Sequence, residues 1–263
     1  MSEQNDVIGE LRETGVIDDI RWAYGSAVAR TMDLYSEEDG HGAATLGTLK
    51  FTHFQDRLDR VFSCGRYDVG EGEADANLDV LYANLSDRDI ASMPRLDPYL
   101  VKRSDLNGSP GWVFGSYRFL LASAIYGKVD QIPWPQKSLI KQKVAQQRDP
   151  EPPPTLFDVL NPEEVGGLQE LEDPNELDLR TFVIGHSLDP VSQQTELVFG
   201  RSRIAAKGES SWRWSEDILA LPPMGGGQRI DDAPSSGGPD AEADAPVRLR
   251  RAASEKKRAE GEK

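Results

Sequence analysis

Cysteine is almost absent from this chain: Cys64 is the only one in 263 residues. One thiol cannot close an internal disulfide, which suits a reducing compartment. Histidine is nearly as scarce, with His41, His53 and His186 making up the three. No second His or Cys cluster has the spacing of a metal site, so no metal is predicted. Long hydrophobic runs are missing too. The longest, Phe119 to Tyr126, is far shorter than the ~20 residues of a membrane span. The polar, acidic start MSEQNDVIGE lacks the pattern of a secretory signal. These absences predict a soluble, cytoplasmic protein without a membrane partner. Phosphate-binding loops, dinucleotide-binding glycine patterns, nucleophile triads and repeats are also absent, so no cofactor is predicted.

Positive charge is in short supply: 30 Lys and Arg stand against 45 Asp and Glu, a net charge of −15. Such a balance excludes non-specific binding of nucleic acid or anionic membrane by the whole surface. The distribution says more than the sum. Between Val101 and Arg148 eight basic residues meet two acidic ones, so 8 − 2 = +6. From Asp149 to Asp178 there are ten acidic residues and no basic one. The two blocks either neutralise each other across the surface, or the basic block faces an anionic partner with the acidic block as an internal competitor.

The stretch Pro98 to Pro135 holds the strongest turn signal, the longest apolar run and two of the five tryptophans. Tyr99-Leu100-Val101 leads into Lys102 and Arg103. Ser104 to Gly111 (SDLNGSPG) then supplies nearly every turn-forming residue, and Trp112-Val113-Phe114 completes a predicted hairpin. Tyr117, Leu120, Leu121, Ala124 and Ile125 fall at the helical repeat, so the run after Gly115-Ser116 is predicted as a helix capped by Ser116 and stopped by Gly127. Ile132-Pro133-Trp134-Pro135 is predicted as extended chain with the indole as a packing anchor.

The remainder reads as α+β. An N-terminal helix with apolar positions Val16, Ile20, Tyr24 and Ala27 is broken from a shorter one at Gly15. A second runs from about Ala44 to Ser63 through Phe51, Phe54, Leu58 and Val61. His53 sits one turn from Asp56, the minimal acid/base pair, and Glu37 to His41 is either a cation site or a hydrated loop. Leu78 to Leu85 alternates as a strand. Asp79 within it lacks the acidic-x-Lys pattern of metal-dependent nucleases. Lys137 to Gln147 is a basic helix. Leu179 to Ser187 and Thr195 to Gly200 flank a hairpin turn, and Trp212 opens a short helix to Leu221. Gly185-His186-Ser187 is no hydrolase elbow, because the second glycine of that motif is missing.

The predicted fold is N-terminal helices packed on a small, mostly antiparallel sheet, with a disordered C-terminal tail. Its parts are a body over 1–148, an acidic Pro-rich linker over 149–178, a hairpin and short helix over 179–221 docked on the body, and a tail over 222–263. The tail's last seventeen residues carry seven Lys or Arg against three Glu. Function is expected to be binding rather than catalysis, with a protein or a nucleic acid as partner. The expected surface uses Lys102, Arg103, Asp105, Asn107, Trp112, Arg118, Trp134, Lys137 and Lys141. The alternative is an enzyme acting on a nucleotide or polynucleotide, with Arg103, Asp105, Asn107 and Arg118 joined by His53 or Asp79.

Overall fold

Ser2, whose hydroxyl accepts from the Asn5 amide at 3.4 Å, caps helix α1 (Glu3–Glu13). Gly15, with φ +85°, turns the chain into α2 (Val16–Leu34), a left-handed conformation that costs glycine least. Helix α3 (Ala43–Val61) follows. The computed structural model describes residues 2–68, 78–147, 177, 179–206 and 208–222. Residues 69–77, the expected linker apart from Leu177 and the expected tail beyond Pro222 lie outside them. All described residues belong to a unit spanning Met1–Met224.

The six strands lie in the order β1 to β6 across one sheet. They are β1 (Val101–Arg103), β2 (Gly111–Phe114), β3 (Tyr117–Ser123), β4 (Arg180–Leu188), β5 (Thr195–Ser202) and β6 (Trp212–Asp217). Only β3 and β4 run parallel; the other neighbours are antiparallel hairpin partners. A parallel pair needs a crossover. Here it contains short 3-10 turns at Val129–Gln131 and Trp134–Gln136 and helix α6 (Leu139–Ala145).

Alternation along the central strands builds a core on each face. Phe119, Leu121, Phe182, Ile184, Leu197 and Phe199 meet the helical layer of α1, α2 and α3. Leu120, Ala122, Val183 and Val198 meet Val129, Ile132, Trp134, Ile140 and Val144 of the crossover. Among the described residues no helix is long and apolar enough to cross a membrane.

Three local expectations are corrected. Tyr117–Ser123 is a strand, not a helix. Its residues 118–122 are all buried, and a strand covered on both faces is a continuous apolar run, which satisfies helical spacing by accident. Trp212–Asp217 is the edge strand β6 rather than a helix. A register shift opposite Arg201 and Ser202 breaks the alternation of β6, so two residues that regular pleating would place on one face part. Trp212 goes to the crossover core, where its Nε1 donates to the Val129 carbonyl at 2.9 Å, and Trp214 to the helical side, where it donates to Glu3 at 2.8 Å. Leu78–Tyr82 is a short helix, α4, followed by α5 (Asp87–Ser92), and Asp79 is exposed on it.

Candidate functional site

The basic and aromatic residues singled out above occupy separate places. Around the β1–β2 hairpin, Arg103 Nη1 donates to both Asp59 oxygens at 2.6 and 2.8 Å, and its Nε donates to Asp105. Trp112, fully buried, donates its Nε1 to Asp59 at 2.9 Å, and the Arg103 guanidinium lies over its ring at 4.8 Å. Arg118 is buried and donates to Ser104 Oγ at 3.2 Å. Lys102 and Asn107 are exposed, Asn107 with φ +45° at the turn. Trp134 belongs to the crossover core, with Nε1 on the Ser211 carbonyl at 2.8 Å.

Arg103 thus does meet two carboxylates, as an acid/base site would require. Yet Asp59 is buried, and its oxygens are taken by Arg103, Trp112 and, at 3.7 Å, Cys64 Sγ. The group is an ion pair closed on itself. Burial, the dominant influence, pushes the Asp59 carboxyl up, and Arg103 opposes it.

His53 and Asp56 form no pair. His53 Nδ1 lies 3.0 Å from Thr31 Oγ1. The Asp56 oxygens accept from Arg57 at 2.5 Å, Arg60 at 2.8 Å, Tyr67 at 2.6 Å and Arg66. His41 Nδ1 accepts from the Ser36 amide at 3.2 Å, and among the described residues no cluster of His, Cys, Asp and Glu is fit to hold a metal.

Lys137 and Lys141 lead elsewhere. The parallel pair ends at Ser123 of β3 beside His186 of β4. Lys137, at the end of the second 3-10 turn, reaches this end and donates to the Ser123 carbonyl at 2.7 Å. Lys141 of α6 places its ammonium 5.7 Å from the ring centroid of Phe51. Phe51 follows Lys50 on α3, and Lys50 is only 3% exposed. Among the described residues, no carboxylate forms an ion pair with any of the three lysines. The residue these charges surround is His186, which is fully buried. Its ring lies 5.2 Å from Phe54, 5.8 Å from Tyr24 and 6.5 Å from Phe51, centroid to centroid. Neither ring nitrogen has a hydrogen-bond partner.

The electrostatics follow from burial and like charge. Burial, then the neighbouring charge of Lys137, pulls Lys50 down to about 8. The same two causes bring Lys141 to about 8, and burial lowers Lys137. Burial and then the charges of Lys50, Lys141 and Lys137 hold His186 well below the ordinary imidazole value, so it is neutral. Next along β4, the Ser187 carbonyl accepts from the Tyr24 hydroxyl, and Glu196 accepts from Ser187 Oγ at 2.5 Å and from the Gly127 amide at 3.0 Å.

Sequence reasoning found two of these lysines and missed Lys50 and His186. One signal was available: on α3, Lys50 stands four residues before Phe54 and eight before Leu58, on the helix's apolar stripe. Comparison with protein-family models, with curated proteins and with solved structures finds no significant match to this chain.

Proposed function

We propose that the protein is a non-catalytic binding module whose ligand carries a phosphate or carboxylate group, held by Lys50, Lys137 and Lys141 where β3 and β4 end. One observation carries this reading: three partly or fully buried lysines converge, and no carboxylate among the described residues pairs with them. Desolvated like charges destabilise the folded state, and each depressed amine records that cost. An anion among the three would reverse it, returning the amines to the ammonium form through charge-assisted hydrogen bonds. The carboxyl end of a parallel pair is also the usual position of a ligand in sheets with crossover connections, a point of analogy only.

A small ligand fits better than a polynucleotide. Lys50 is recessed, and Arg103 and Arg118 of the hairpin already have intramolecular acceptors. The test is thermal unfolding at low ionic strength with inorganic phosphate or a single-stranded oligonucleotide, using wild type and Lys141→Gln. Phosphate at about 100 times its Kd should stabilise the wild type by about 2.7 kcal/mol. Lys141→Gln, which also controls for the general salting effect of phosphate, should lose most of that gain. An equal gain in both proteins overturns the reading. A shift with the oligonucleotide alone replaces the small ligand with nucleic acid.

A further inference from the structure

We propose that Lys50 is a nucleophilic amine that condenses with the carbonyl of an anionic aldehyde or ketone, Lys137 and Lys141 holding the anionic group. The inference rests on the anion reading above and adds a covalent step to it. Of the three lysines, Lys137 is committed to the Ser123 carbonyl and Lys141 faces the Phe51 ring. Lys50 alone has neither an acceptor nor an aromatic face among the described residues, although it is the most buried of the three. The polar atoms sealed from solvent without a partner include both His186 ring nitrogens but not the Lys50 amine. The Lys50 amine therefore keeps some contact with solvent, and the imidazole has none.

The surroundings favour the free base. Desolvation and a neighbouring cation are the two means by which a lysine is made nucleophilic near neutral pH, and both act on Lys50. The charged and titratable groups around it are Lys137 and Lys141 from the crossover and His186 from β4, with Tyr24 of α2 packed on that imidazole. No carboxylate among the described residues restores the ammonium. In the step itself, the Lys50 nitrogen attacks the carbonyl carbon, and the C–N bond forms as the C=O π bond breaks. The carbinolamine then loses its oxygen, with the two amine hydrogens, as water and leaves the imine. No oxidant or reductant takes part.

The experiment traps the imine on the full chain with borohydride. It compares pyridoxal 5′-phosphate, which carries both an aldehyde and a phosphate, with pyridoxal, which lacks the phosphate. The expected result is one adduct per chain, mapped to Lys50, forming at least 10-fold faster with the phosphorylated probe and slowed by inorganic phosphate. Its rate should rise with pH through about 8 and vanish in Lys50→Arg, which keeps the charge. The wild-type peptide map is decisive even should that variant fail to fold. Adducts scattered over surface lysines overturn the proposal. Phosphate binding without an adduct at Lys50 overturns it too, and leaves the anion reading standing. An adduct at Lys50 that forms equally with both probes, indifferent to phosphate, overturns the anion reading and the proposal together.

Discussion

Asp59 shows how much one buried carboxylate can organise. Three side chains from separate places, Arg103, Trp112 and Cys64, donate to it, and they tie α3 to the β1–β2 hairpin. Removing one partner of such a pair leaves a charge buried without compensation, which costs about 3–5 kcal/mol. Arg103→Ala should therefore lower the unfolding free energy in urea by that amount, and Asp59→Ala by at least as much, since it also strands the Trp112 indole N–H. A loss below about 1 kcal/mol for Arg103→Ala would mark the pair as a surface contact. Lys50 illustrates the opposite case, a buried amine with no partner among the described residues, and that contrast is the reason it is read as functional.

At the scale of elements, β4 lies tight against the crossover core, and a glycine makes this possible. A Cβ on Gly185 would stand 2.9 Å from Trp212 Cζ2, 2.9 Å from Val198 Cγ2 and 3.1 Å from Val129 Cγ2. All three neighbours belong to the packed crossover core, so none has free space to move into. Gly185→Ala should destabilise by about 1–3 kcal/mol through overpacking. Gly25 is the counterpart. It is exposed within α2, and a Cβ there meets nothing within 4 Å. Gly25→Ala should raise stability by about 0.5–1 kcal/mol. Chemical denaturation of both variants checks the pair, and a shift of the same sign in both would contradict the packing described for β4.

For the whole molecule, strand order decides what can fold alone. β4 pairs with β3 along seven residues and with β5 on its other side, so residues 179–222 supply half of a single sheet. Without them, Phe119, Leu121 and the helical layer lose Phe182, Ile184, Leu197 and Phe199. A fragment ending at Gln147 should retain helical circular dichroism but bind a hydrophobic dye and unfold without a cooperative transition. A sharp transition with dispersed amide resonances would show that the first half is a domain. The ion pair between Arg201 and Glu3, at 2.6 Å, and the bond from Trp214 to Glu3 close the same unit from its two ends.

The α+β class, the helix break at Gly15, the helices around Phe54 and Lys141, and the β4–β5 hairpin were all determined by local pattern. Apolar spacing, glycine and turn residues act over a few positions, so they are legible without the rest of the fold. Other assignments were left to the tertiary structure. The run at Phe119 became a strand because both its faces are covered, and Trp212 became an edge strand because β5 was there to pair with it. The lysine cluster is of the same kind. Lys50, Lys137, Lys141 and His186 are separated in sequence by 87, 4 and 45 positions, and no local rule relates Lys50 or His186 to the two crossover lysines. They meet because the chain crosses over between two parallel strands, bringing α6 to the end of β3 and setting His186 against α2 and α3. Net charge and composition are sums over the chain. The unbalanced charge at that end depends on which lysines the fold deprives of water, and only the packed structure decides that.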